Sequence, residues 1–307
     1  MSALLDRPPA RRPDVTPVLR TLRTGDASRP RSVSIVHPGA LPSSVYDGLA
    51  GRLPIEYGIH LLNLQGLAQY QQAALTGGRS ELSVVDIAEF FARRVREVLR
   101  PGEDHALVGW SFGGVIAHAM TAHLTAGTAP TQLVLLDSIA AVPGYQAQID
   151  DLDEQTLLRW FAMYLGAKRG APAQPGAACP GSLEDVLAAM TDSGVLLPGT
   201  TIAGLAKVFA VYVDGLRRNS LLTRAFQAVP SQIATTVVRA RRSLLAESGP
   251  MGWDQVCSPS LQVLTGEGDH YSMLTDAGTT ALVAGIVRSV LTPTEREPVA
   301  RHLAEPR

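Results

Sequence analysis

Ten consecutive residues constrain this chain more than any others: His105-Ala106-Leu107-Val108-Gly109 followed directly by Trp110-Ser111-Phe112-Gly113-Gly114. A short apolar run that meets Gly-x-Ser-x-Gly and passes at once into an amphipathic pattern demands a strand, a tight turn and a helix with nothing between them. Such a turn strains the serine backbone and lifts its hydroxyl above the edge of a sheet. Glycines at 109 and 113 leave room for the crowded backbone, and the N–H of Phe112 falls at the positive end of the helix dipole, where it can stabilise an oxyanion.

The same texture runs through most of the chain and fixes the fold class. From Val33 onward, short β-branched runs alternate with helical patterns, which predicts an α/β fold with a mostly parallel central sheet and flanking helices. Strands are expected at 33–36, 57–63, 105–109, 131–136, 233–239 and 261–264, and helices at 44–53, 84–99, 112–126 and 276–291. About 95 residues separate Asp137 from Ile233, far more than the ~10 to 15 of a plain crossover. Their helical patterns, at 154–165, 183–190 and 201–218, joined by the Pro/Gly/Ala segment Gly170 to Gly181, mark an insertion. The expected organisation is a flexible N-terminal arm or linker over 1–31, one domain over 32–292 with a helical lid at about 140–230, and a tail over 293–307. The arm is read from its seven Arg, three Asp and five Pro and from little apolar periodicity apart from a short stretch around Val18 to Leu22.

Composition excludes several classes. With 27 basic and 28 acidic side chains the formal net charge is −1, and no basic run exceeds three residues, so nucleic acid is not an expected partner. No apolar run approaches the ~20 residues of a membrane span and no signal pattern opens the chain, which points to a cytoplasmic protein. Cys179 and Cys257 stand 78 residues apart and read as free thiols. None of His37, His60, His105, His118, His123, His270 and His302 forms a metal-ligand pair at helical spacing, so no metal is expected. Gly266 and Gly268 suggest a dinucleotide loop, but Tyr271 stands where the third glycine belongs.

A serine nucleophile needs a base, and the base needs a carboxylate. Asp137 ends the run Leu133-Val134-Leu135-Leu136, at the sheet edge from which Ser111 emerges. His270 lies in Gly268-Asp269-His270-Tyr271-Ser272-Met273, between the last strand and the last helix. The order Ser111, Asp137, His270 is that of α/β-hydrolases. Asp254 and Asp269 are rival acids that rank below Asp137, and His60, His105, His118 and His123 read as packing or surface residues.

These motifs, with His37-Pro38-Gly39 after the first core strand, resemble the thioesterase domains that end nonribosomal peptide and polyketide assembly lines, within the α/β-hydrolase superfamily. The resemblance covers about residues 20–292. It implies Ser111, Asp137 and His270 as catalytic triad, Phe112 as one oxyanion donor and the backbone N–H of Ala40 as the second, although Gly39-Ala40-Leu41-Pro42 stands where the family often has a glycine pair. It further implies a serine thioesterase that releases an acyl or peptidyl chain from a carrier protein by hydrolysis or macrocyclisation, without metal or bound organic cofactor. The 4'-phosphopantetheine arm belongs to the partner acyl or peptidyl carrier protein. Trp160, Phe161, Met163, Tyr164, Phe209 and Tyr212 are the large lid residues expected to face either the acyl chamber or the lid's own core. Alternatives are a free-standing editing (type II) thioesterase, for which Glu247 would be the nearest acid after the strand at 233–239, a carboxylesterase on small free esters, and a catalytically silent hydrolase-fold binding protein. The Met1 start and the lack of a carrier-protein motif suggest a separate polypeptide, with a domain excised from a larger synthase as the alternative.

Overall fold

The computed structural model describes residues 17–75, 82–125, 127–145, 151–171, 180–245, 249–257 and 260–291. Seven strands build one sheet: β1 (Leu19–Arg23), β2 (Arg31–His37), β3 (Gly58–Asn63), β4 (Asp104–Trp110), β5 (Gln132–Leu136), β6 (Thr235–Arg242) and β7 (Gln262–Asp269). Their spatial order is β1-β3-β2-β4-β5-β6-β7, and only β1 runs antiparallel to its neighbour.

The central strands read as continuous apolar runs because both faces of the sheet are covered. Along β4, Ala106, Val108 and Trp110 face one core with Val33, Ile35, Val134 and Leu136. Leu107 faces the other with Val36, Leu133 and Leu135. That alternation is the period of two expected of a pleated strand. The helices that cover the sheet are α1 (Asp47–Arg52), α2 (Ala68–Leu75), α3 (Val84–Arg96), α4 (Phe112–Met120) and α8 (Ala277–Leu291). Helix α3 begins at a capping box in which the Ser83 hydroxyl accepts from Asp86 N–H and the Asp86 carboxylate accepts from Ser83 N–H. Its buried face carries Val84, Ile87, Ala88, Phe91, Ala92 and Val95.

Two elements escape the sequence pattern. The expected flexible arm over 1–31 is corrected for Leu19–Arg23, which pairs with β3 as an edge strand. Edge strands tolerate charge, so the polar pattern of this segment carried no strand signal. The guanidinium of Arg23 fastens the strand by donating to the carbonyls of Tyr57 at 2.9 Å and Pro54 at 2.7 Å. Helix α2 is short and weakly amphipathic, and so has little periodicity to read. Helix α4 is also shorter than the expected span to residue 126, closing at Met120 before a turn.

The insertion carries α5 (Glu154–Lys168), α6 (Leu183–Asp192) and α7 (Ile202–Arg224). The N-caps Asp153, Ser182 and Thr201 each accept from the backbone N–H three residues on. Cys179, Glu247, His302, the tail from 293 and most of the Gly170 to Gly181 segment lie outside the described residues.

Candidate active site

Strand register decides what meets at the carboxyl edge of the sheet. Trp110 pairs with Leu136, Leu136 with Val238, and Arg242 with Asp269. The residues that follow β4, β5 and β7, namely Ser111, Asp137 and His270, therefore leave the sheet side by side.

Ser111 has φ 55° and ψ −130°, a conformation that costs an L-residue on the order of 1–3 kcal/mol and persists only when its surroundings impose it. Here the Ser111 N–H donates to the Leu136 carbonyl at 2.9 Å, and the Ser111 carbonyl accepts from Gly114 N–H at 2.9 Å. A Cβ at Gly109 would stand 2.6 Å from the Gly113 carbonyl oxygen. One at Gly113 would run into the Val36 carbonyl and stand 3.2 Å from the Pro38 ring. The two glycines thus let α4 press against β4 and against the loop after β2.

The imidazole of His270 bridges the other two groups. Its Nδ1 lies 2.7 Å from Asp137 Oδ2 and its Nε2 lies 3.1 Å from Ser111 Oγ. A carboxylate only accepts, so the Nδ1–H donates to Asp137 and Nε2 is left to accept from the serine hydroxyl. Asp137 is buried and has φ 41°. Its N–H donates to the Val238 carbonyl at 2.9 Å, and its Oδ1 accepts from Ala240 N–H at 3.0 Å. Strand β6 therefore aims the carboxylate.

The rival acids have other work. Asp269 is fully buried, and its Oδ1 accepts from the N–H groups of Tyr271 at 3.0 Å and Ser272 at 2.9 Å, closing the turn that presents His270. An Asp that accepts from the N–H groups two and three residues on forms an Asx-type turn, a local signal that Asp269 in this loop offers. Asp254 is exposed in a single 3-10 turn. His60 meets Thr21 Oγ1 at 3.1 Å, His105 meets Ser34 Oγ at 3.0 Å, and His118 packs on Trp253 with ring centroids 5.0 Å apart. Among the described residues no cluster of His, Cys, Asp and Glu could hold a metal ion.

Phe112 is the first residue of α4, and its ring stacks on Tyr70 with centroids 6.4 Å apart. Ala40 lies in the loop Pro38 to Leu41, opposite this helix start, and both Ala40 and Ser111 line the same cavity. The loop is held from two sides. Gln65 Nε2 donates to the Gly39 carbonyl, and His37 Nε2–H donates to the Leu41 carbonyl at 2.8 Å. Burial pushes the His37 pKa down to about 4, so the ring is neutral, with Nδ1 accepting from the Tyr46 hydroxyl at 3.2 Å. Trp110 sits between two imidazoles, stacked on His37 with centroids 6.2 Å apart, while its indole N–H donates to the His270 carbonyl at 2.9 Å. Gln65 and Trp110 carry no sequence signal of this role, because each acts on a segment far away in the chain, whereas His37 acts within its own His37-Pro38-Gly39 loop, on a carbonyl four residues on.

The cavity over Ser111 has a volume of about 730 Å³ and is walled by α5 and α7 of the insertion. Of the six large lid residues, Tyr164 and Tyr212 line it. Trp160 is buried, and the Phe161 ring packs on those of Phe209, Tyr164 and Tyr212 at 5.1 to 6.2 Å, forming the lid's own core.

A nucleophile-type elbow, a base and a buried acid beneath a lidded chamber suit acyl transfer. The family model for the thioesterase domain matches residues 31–289. The chain belongs to the thioesterase domain family. It is 31% identical over 149 residues to a dimodular nonribosomal peptide synthase of Bacillus subtilis strain 168, a match covering 48% of this chain and 6% of that much longer one. A holo four-domain nonribosomal peptide synthetase bound to AMP and glycine superposes with a TM-score of 0.60 at 21% identity, over 89% of this chain and 20% of that one. The type II thioesterase YbtT of the yersiniabactin pathway superposes with a TM-score of 0.55 at 15% identity, over 89% and 98%. Both structures share the α/β fold of this thioesterase. Among the described residues no helix is long and apolar enough to cross a membrane.

Proposed function

We propose that this thioesterase releases an acyl or peptidyl chain from the phosphopantetheine thioester of a carrier protein, with Ser111, His270 and Asp137 as catalytic triad. The single observation that carries the reading is the continuous relay from Asp137 through His270 to Ser111, at 2.7 and 3.1 Å, opening into a partly covered cavity.

In this reaction Ser111 Oγ attacks the thioester carbonyl as its proton passes to His270 Nε2. Asp137 holds the ring and balances the imidazolium charge. The oxyanion develops between the N–H groups of Phe112 and Ala40. Collapse breaks the C–S bond, the thiol leaves with the His270 proton, and an acyl-Ser111 ester remains. His270 then deprotonates water or a nucleophile of the chain itself, and the proton returns to Ser111 as the product leaves. The protein side chains suffice for each step, so we assign no metal or organic cofactor; the pantetheine arm comes with the carrier.

Asp137 follows β5, the arrangement expected of chain-releasing members, and this favours release over the editing role. The lid favours ring closure over hydrolysis. An ester shielded from bulk water gives a tethered hydroxyl or amine time to reach it, and effective molarities of ~10⁵ M or more exceed the ~55 M of water. The test loads long acyl and peptidyl pantetheine thioesters bearing a terminal nucleophile, with and without carrier protein, and resolves products by mass spectrometry. Cyclic product is expected. Linear acid from every substrate would remove the ring-closing role, and faster cleavage of short oxygen esters than of any thioester would remove the carrier-linked reading.

A further inference from the structure

The wall of the chamber is electrostatically one-sided. Along α7, Lys207, Val211, Gly215 and Arg218 recur at helical spacing and all line the cavity. Lys168 joins them from α5. Among the described residues no Asp or Glu lines the cavity, and no carboxylate pairs with Lys168, Lys207 or Arg218. The acid of this stretch, Asp214, is taken by Arg217 at 2.7 Å.

Arg218 is the most fixed of the three cations. Its guanidinium carbon stands 3.9 Å from the centroid of the Tyr70 ring, and Nη1 donates to the Tyr70 carbonyl at 3.4 Å. Its Nε is buried without a partner. The adjacent Asn219 accepts from the Tyr70 hydroxyl at 2.6 Å through Oδ1, which leaves its amide NH₂ as a further donor on the cavity wall. Tyr70 in turn stacks on Phe112, so this donor group sits one ring away from the oxyanion end of the site. A guanidinium held over an aromatic ring is pre-positioned, and the donors it does not spend on Tyr70 suit a carboxylate or phosphate oxygen. Among the described residues no carboxylate meets this guanidinium, so a negatively charged group entering the cavity finds its charge unpaired.

We infer that the substrate presents an oxyanion group to Arg218 and that the acyl chain, through a carboxylate, supplies it. This inference rests on the thioesterase reading above and narrows its substrate class. The same chemistry could come from the phosphate of the pantetheine arm, so the experiment separates the two sources.

Acyl thioesters of N-acetylcysteamine, which lack the phosphate, and of 4'-phosphopantetheine, which carry it, are each prepared with a terminal carboxylate or with the matched carboxamide, and kcat/KM is measured for each. Wild-type enzyme should prefer the carboxylate by about 30-fold, the range of a charge-assisted hydrogen bond. The preference should fall to near unity in Arg218→Gln and reverse in sign in Arg218→Glu. Melting curves and labelling of Ser111 by a neutral fluorophosphonate report whether each variant is folded. Should both variants fail to fold, the wild-type preference alone decides. Equal rates for carboxylate and carboxamide would overturn the inference. So would a gain that appears only when the thiol carries the pantetheine phosphate and ignores the acyl terminus. Absence of turnover on every thioester together with absence of fluorophosphonate labelling would instead remove the thioesterase reading itself.

Discussion

The sheet edge and the lid differ in how their residues are held. At the edge, Asp137 and His270 are 1% and 3% exposed, and each is fixed by backbone hydrogen bonds to a neighbouring strand. In the lid, α7 spans 23 residues but buries only Leu205, Tyr212 and Leu222. Val211, on the cavity wall, is 72% exposed. The sheet fixes the reacting atoms, where an error of 1 Å is costly. The cavity-facing side of α7 presents a surface that can change with little loss of stability, because few side chains of that helix are buried, whereas α5 sends Leu158, Trp160 and Phe161 into the core. Under the proposed function, the sheet edge carries the reaction chemistry and the α7 wall selects the chain.

The contrast breaks most sharply at Ser111. Ser111→Ala should lower kcat by about 10⁶ while leaving the melting temperature intact, since only one half-buried oxygen is lost. Substantial turnover by the purified, folded variant would place the nucleophile elsewhere.

Asp137 and Asp269 should separate catalysis from loop closure. Asp137→Asn should lower kcat by about 10⁴ with substrate binding retained, because an amide can hold the wrong imidazole tautomer. Asp269→Asn should act on stability, since a buried acceptor of two N–H bonds loses its charge. Urea unfolding and steady-state kinetics on both variants distinguish these outcomes, and a reversed pattern would exchange their roles.

A smaller effect is expected at Phe112. Phe112→Pro keeps a residue tolerated at the first helical position but deletes the N–H, for a loss of about 3 kcal/mol in transition-state stabilisation. Phe112→Leu should cost much less, as it alters only the stack on Tyr70. Equal kcat/KM for the two variants would assign the effect to the side chain.

Within the lid, Tyr212→Phe should destabilise the fold by about 1–3 kcal/mol, because the buried Tyr271 hydroxyl loses its partner at 2.7 Å. The double change of Tyr212 and Tyr271 to Phe should recover most of that loss. Thermal melts of the two singles and the double check this, and fluorophosphonate labelling of Ser111 should stay close to wild type in all of them.

The last expectation concerns pH. Burial lowers the pKa of His37 and His118 to about 4 and that of His105 to about 3. These histidines stay neutral in the folded protein and take up protons near pH 6.5 once unfolded. The unfolded chain thus binds more protons between about pH 6.5 and 4, so stability falls as pH drops through that window. Urea melts at pH 7, 6, 5 and 4 should show the decline, and His105→Gln should flatten it.

Much of this site is legible from local pattern. The strand-turn-helix around Ser111, the carboxylate ending Leu133 to Leu136 and the histidine between β7 and α8 are each short-range features. The central strands could be read because burial on both faces leaves them continuously apolar. The edge strand β1 could not, because none of its residues is buried and Arg20 and Arg23 interrupt its apolar pattern. Trp110 shows the limit most clearly. Its position inside Gly-x-Ser-x-Gly is obvious, but its bond to the His270 carbonyl joins residues 160 positions apart.

The amino-acid sequence by itself therefore determined the α/β class, the Ser111, Asp137, His270 order and the existence of a helical insertion, because each is written in spacing along one segment. Tertiary structure alone decided which strands lie side by side, that β6 aims Asp137, that Asp269 shapes the histidine turn, and that Arg218 lines the chamber from above the Tyr70 ring. Those outcomes depend on register and packing between distant segments, and physical contact across the fold leaves no period in the chain.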